Sequence, residues 1–279
     1  MGIILALAAA LIYGAADFFG GLATKRAVVW AVVFVSGAVG LVTALIAVPL
    51  LGAGPPPPGD LALGAVVGLV GLAGIAALYR GLAIARMSVV APITAVVAAA
   101  VPIAYGMLRG ERPSLLAMLG IVLALGAVAL VSRSSDEDVA GDPEPQRAGL
   151  LLACLSGVGF GLVYVLLAAS SRGAWPLVAS RTVFVSLTGL IVLWLRTPLT
   201  RPAGMVRLAA LTGVLDMGAN VLYLLALRYT LISIAAVIAS LYPASTVMLA
   251  RIVLHERLHG VQWAGVACAL AGVVLMARG

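Results

Sequence analysis

Charge is scarce in this chain, and the little there is sits mostly at the ends of apolar blocks. Only 10% of its 279 residues are Asp, Glu, Lys or Arg, against 63% that are hydrophobic. A soluble domain carries about 25% charged and 45–50% apolar residues. A chain this poor in charge could not cover its own surface in water, which excludes the soluble globular class. A separate soluble domain is excluded as well, because the longest strongly polar stretch is the short run from Ser132 to Arg147. The net charge of +7 does not make it a nucleic-acid binder. The basic residues come singly or in twos and threes, with no basic stripe and no interleaved aromatics, so no nucleic-acid partner is expected. Cysteine is nearly absent. Cys154 and Cys268 both fall inside apolar blocks and read as small apolar residues of a packed interior. There is no G-x-x-x-x-G-K-[ST] and no G-x-S-x-G, so nucleotide-driven transport and serine hydrolysis have no motif to rest on. The N-terminus, Met1-Gly2-Ile3-Ile4-Leu5, lacks the basic region of a secretory signal and reads as a retained first span.

What the chain does have is long apolar runs. Ten blocks of about 20 residues are each long enough to cross a hydrocarbon core. They fall at about 2–23, 28–52, 61–84, 88–108, 114–132, 148–170, 176–196, 204–227, 231–253 and 259–277. The chain also repeats itself. Ser88 to Arg133 lies on Ser233 to Arg278 at a constant offset, with identities at Ser88/Ser233, Ala91/Ala236, Ile93/Ile238, Glu111/Glu256, Arg112/Arg257, Gly120/Gly265, Leu125/Leu270, Val128/Val273 and Arg133/Arg278. Gly2 and Gly14 match Gly149 and Gly161 in the same way. A tandem repeat of five spans places its second copy upside down, a plan that recurs in secondary transporters with the site at the midplane between the halves. The expected fold is therefore an all-α membrane protein of ten transmembrane helices in two inverted five-helix repeats. The first repeat is 1–131 and the second 148–279, with 132–147 as a polar linker.

Buried ionisable groups are expensive in a bilayer and mark function by default. Only Asp17 and Asp216, of the ten acidic residues, lie well inside spans. At 1.5 Å per residue, Asp17 is roughly 22 Å from the face where the chain starts, and Arg80 in the third span reaches a similar level. Asp216 is about 20 Å in from the opposite face, and Arg181 in the seventh span sits about 8 Å from the first face. One acid–arginine pair per half is the expectation, either as a structural neutralised pair or as a site that exchanges a proton or a cation. Asn220 is one helical turn from Asp216. Tyr13, Tyr79 and Tyr223 are candidate walls, and Tyr105, Tyr164 and Tyr242 also lie in spans. Pro92 and Pro102 in the fourth span and Pro243 in the ninth predict bent, equivalent helices that serve as cavity walls and gate hinges. Gly64/Gly68 and Gly157/Gly161 are spaced for close helix packing. Glu111 and Glu256, at the starts of spans five and ten, complement the N-termini of those helices.

One enzyme motif appears. His255-Glu256-Arg257-Leu258-His259 fits H-E-x-x-H, the ligand pair and base of zinc proteases. Its equivalent, Gly110-Glu111-Arg112-Pro113-Ser114, keeps Glu-Arg and loses both histidines, and the match straddles a turn between spans. No metal, no cofactor and no enzymatic activity are expected.

Ten spans, the repeat, and the paired turns Arg109–Ser114 (RGERPS) and Leu254–His259 (LHERLH) resemble the EamA branch of the drug/metabolite transporter superfamily across nearly the whole chain. The resemblance implies a multi-pass transporter of the plasma (inner) membrane that moves small metabolites or toxic cations, often outward. Ala16-Asp17, Gly20 and Lys25 are similar to the first helix of the four-helix small multidrug exporters, whose proton-exchanging glutamate falls where Asp17 stands. Here the residue is Asp, and the second half has Tyr164 near the equivalent place. The combined expectation is an exporter of small molecules working by alternating access, with protons coupled at Asp17. An uncoupled facilitator is the alternative within transport, and an intramembrane zinc metalloprotease using the HERLH segment is the alternative of a different class. Basic residues favour the face opposite the termini, about nine to five, which the positive-inside rule would place in the cytoplasm; the resemblance implies the reverse.

Overall fold

The computed structural model describes every residue except 25–26, 51–53, 58, 85–86, 132–142, 171–173, 199–202, 255–259 and 279. Eleven helices and no strand occur among the described residues: α1 Gly2–Thr24, α2 Val29–Leu50, α3 Asp60–Ile84, α4 Met87–Leu108, α5 Leu115–Val131, α6 Pro143–Ala169, α7 Trp175–Trp194, α8 Ala203–Ala226, α9 Ile232–Ala239, α10 Tyr242–Leu254 and α11 Gly260–Arg278. Helices are the only open-chain way to satisfy every backbone N–H and C=O within hydrocarbon. Six of them, α1, α2, α3, α6, α7 and α8, are long and apolar enough to cross a membrane, and the remainder supply four shorter apolar stretches. Leu45, Ile46, Leu69, Leu119, Val122 and Leu193 point outward and are exposed. In water such a belt would drive aggregation; against lipid it is the natural outer surface.

The packing displays the repeat. The first helix of each half lies on the third helix of the other, α1 on α8 and α6 on α3, while α2 pairs with α7 and α5 with α11 across the pseudo-twofold. Small residues make these crossings close. A Cβ at Gly64 or Gly68 would strike the α7 backbone at Pro176 and Ser180, and one at Gly157 or Gly161 would strike Val97 and Val101 of α4, so both glycine pairs do act as packing surfaces. Chain directions follow from the contacts. Gly2 at the start of α1 abuts Tyr229 and Thr230 after the end of α8, and the Trp175 indole N–H at the start of α7 donates to Gly54 O after α2 at 2.6 Å. The starts of α1 and α7 and the ends of α2 and α8 thus share one face, called here the termini face.

Three sequence expectations need correcting. The ninth span is two helices, α9 and α10, broken at Ser240–Leu241. There Leu241 N–H reaches back only three residues to Ile238 O (3.1 Å), and Ala244 N–H does the same to Leu241 O (3.0 Å). Pro243 has no N–H and is tolerated in a first helical turn, so the break forms just ahead of it. The equivalent α4 runs on unbroken past Pro92 and Pro102, and α2 carries a further proline, Pro49, near its end. The polar stretch 132–147 is not all linker, since α6 already begins at Pro143. Cys154 is exposed on the outer surface rather than packed inside, and both cysteines are free thiols.

Candidate functional site

Between the halves lies a cavity of about 250 Å³ lined from α1, α3, α4, α6, α7, α8 and the α9–α10 break. Tyr13 and Asp17 come from α1, Phe160 and Tyr164 from α6, Arg181 and Phe184 from α7, Asp216 and Asn220 from α8, and Ser240 and Tyr242 from the break. Gly68 and Gly71 line the α3 wall, where the absence of side chains leaves the space open. Two carboxylates and one guanidinium are therefore gathered among aromatic rings.

The acids differ in their surroundings. Arg181 Nη2 donates to Asp216 Oδ2 in an ion pair whose side chains are 17% and 32% exposed. The guanidinium also lies over the Phe184 ring, 5.5 Å from its centre, a cation–π contact that holds the arginine in the wall. Asn220, which also lines the cavity, donates from Nδ2 to the main-chain oxygen of Asp216 at 2.8 Å. Asp17 has no ion pair or hydrogen bond among the described residues and is exposed to the cavity. The Asp17–Arg80 pair expected from matching depths does not form: Arg80 is exposed and does not line the cavity. α3 packs mainly on α6 and α7, and α1 mainly on α8 and α10, so α1 and α3 line different walls of the cavity. Equal depth was legible in the sequence; the azimuth around the bundle was not.

The remaining candidates separate. Tyr13 lines the cavity. Tyr223 does not. It is fully buried behind the wall, 4.7 Å ring to ring from Tyr164, and its hydroxyl has no hydrogen-bond partner among the described residues. The side chains of Tyr79, Pro92 and Pro243 lie outside the described residues. Pro102 is buried in α4 and away from the cavity. His255, Glu256 and His259 also lie outside them, and no group of three metal-ligating side chains occurs among the described residues. Sequence reasoning missed Phe160, Phe184 and Ser240 as wall residues; no periodicity singles them out, because these helices are apolar on every side. A larger cleft of about 470 Å³ between α1, α10 and α11 is lined by apolar residues and Ser245. No ionisable group lines it among the described residues, and it is not the candidate site.

The sequence profile of the EamA-like transporter family matches residues 1–133 and 147–278. The chain belongs to the EamA-like transporter family. It is thus an integral, multi-pass membrane transporter with two EamA repeats and a small-molecule substrate, and the zinc-protease reading of the HERLH segment has no support. No curated protein matches the chain. A solved structure described only as the crystal structure of a protein is similar over 98% of this chain and 95% of its own, with a TM-score of 0.77 and 16% identity. At that identity the likeness concerns the fold alone.

Proposed function

We propose that this EamA-family member is a secondary exporter of small molecules, built as ten spans of the plasma (inner) membrane and working by alternating access with protons coupled at Asp17. The observation that carries this reading is the contrast between the two acids. Asp216 is neutralised by Arg181, whereas Asp17 faces the cavity unpaired among the described residues. A carboxyl held in the membrane without a counter-ion has two inexpensive states, protonated or ion-paired with a bound cation. Those states exclude one another at a single group, which is the requirement for exchanging substrate against protons. The broken α9–α10 element supports alternating access, because a non-helical wall at mid-depth is where discontinuous helices hold substrate and hinge. The aromatic rings of Tyr13, Phe160, Tyr164 and Tyr242 favour substrates with apolar or cationic faces.

The test is charge movement in proteoliposomes on a solid-supported membrane, with amino acids, common metabolites and cationic dyes as substrates and Asp17→Asn beside the wild type. A substrate-evoked, pH-dependent response that Asp17→Asn abolishes is expected, with radiolabelled uptake covering electroneutral exchange. Equal, pH-independent fluxes in both proteins would make the chain an uncoupled facilitator.

A further inference from the structure

The turn between α4 and α5 reaches out of its own repeat. Gly110 has φ 89°, the left-handed conformation that favours glycine, and Glu111 N–H returns to Gly106 O at 2.9 Å. The carboxylate is folded back over Gly106 so tightly that a Cβ there would collide with it. From this position Glu111 Oε1 accepts the Ile232 N–H at 2.7 Å, and Oε2 accepts the Ser233 N–H at 3.1 Å and the Ser233 hydroxyl at 2.7 Å. The N-cap residue of α9, Leu231, makes no side-chain cap. Glu111 therefore caps a helix of the other repeat, and not its own α5 as the sequence position suggests. At the start of α5 that part falls to Ser114, whose Oγ accepts the Ala117 N–H at 3.1 Å.

The cap lies on the termini face, where a layer of packed residues seals the cavity. Leu167, Leu177, Leu224, Leu227 and Tyr223 are each at most 2% exposed. α9 belongs to this layer, buried from Ser233 through Ala239, and the break at Ser240–Leu241 uncouples it from α10. The layer also holds a mismatch: the Tyr223 hydroxyl is buried with no hydrogen-bond partner among the described residues. A permanent core seldom keeps such a group, whereas a gate that admits water when open would satisfy it there.

We propose that Glu111 and Ser233 form the latch of the termini-face gate, so that releasing Glu111 from the α9 N-terminus opens the cavity to that face. The proposal rests on the alternating-access reading above, and its test requires neither substrate nor proton gradient. In a background with Cys154→Ala and Cys268→Ala, a single thiol is placed on the cavity wall by Val163→Cys, since Val163 of α6 lines the cavity beside Tyr164. An impermeant maleimide is then applied to the termini face of reconstituted vesicles. Glu111→Ala removes three hydrogen bonds and should raise the labelling rate at least about tenfold, the equilibrium factor of a single charge-assisted bond. Ser233→Ala should raise it less, since its N–H remains. Tyr223→Phe should lower it, because the closed layer loses its unsatisfied hydroxyl. This opposite sign is not expected of residues that merely stabilise the fold. If Glu111→Ala fails to fold, Glu111→Gln, which keeps an acceptor oxygen, and Ser233→Ala carry the test. Unchanged labelling in folded Glu111 and Ser233 variants would overturn the latch. Altered labelling in a protein that moves no substrate would sink the transport reading alone.

Discussion

Removing Arg181 tests the inequality of the two cavity acids most directly. The wild type holds one neutralised carboxylate and one that is unpaired among the described residues. Arg181→Met would leave two carboxylates sharing one cavity with no cation of their own in the wall. Losing one partner of a fully buried pair costs about 3–5 kcal/mol, and an exposed pair is worth about 0–1 kcal/mol. With side chains 17% and 32% exposed, this pair falls between, at about 2 kcal/mol. The cation–π contact with Phe184, 5.5 Å away, contributes up to about 1 kcal/mol more. The assay is a double-mutant cycle on detergent unfolding in mixed micelles, with Arg181→Met, Asp216→Asn and the pair together. A coupling of about 2 kcal/mol is expected, with the double variant more stable than the sum of the singles predicts. Coupling below about 0.5 kcal/mol would refute the ion pair as the neutraliser of Asp216. The distinction between the two acids would then fall with it.

Other perturbations probe the frame around the site. Gly14→Ala would push a methyl group into Ser245 and the Tyr242 carbonyl, where Ser245 and Thr246 hydroxyls already donate to Ala10, Leu11 and Gly14 carbonyls of α1. A loss of about 1–3 kcal/mol is expected, read as a lowered unfolding midpoint, and an unchanged midpoint would show that α10 does not press on α1. Trp175→Phe removes the indole bond to Gly54 O and should cost about 1 kcal/mol or less at this exposed position, seen as a small midpoint shift with transport unaltered; a transport defect would give that loop a functional part.

Much of the fold was legible along the chain, and particular residues show why. Gly64 and Gly68 predicted a close crossing and make one against α7. Pro243 predicted a disturbance in the ninth span, although the outcome is a full break rather than a bend. Asp216 and Arg181 were matched by depth and do meet. Equal depth also pairs Asp17 with Arg80, and these do not meet, because depth says nothing about which side of the bundle a helix occupies. Glu111 was assigned to its own helix from its place in the turn. Its partner lies 121 and 122 positions away, and no local pattern announces a cap supplied by the other repeat.

The sequence by itself determined that this chain is a helical membrane protein with a repeated half. Hydropathy acts residue by residue, and in lipid each segment must satisfy its own backbone. It also determined how deep each charge lies, since rise per residue along a span is constant. Only the tertiary structure decided which acid is neutralised, which tyrosine lines the cavity and which repeat caps α9. Those outcomes depend on how nearly featureless apolar helix surfaces turn toward one another, and that is set by small residues and shape at the crossings rather than by any period in the sequence.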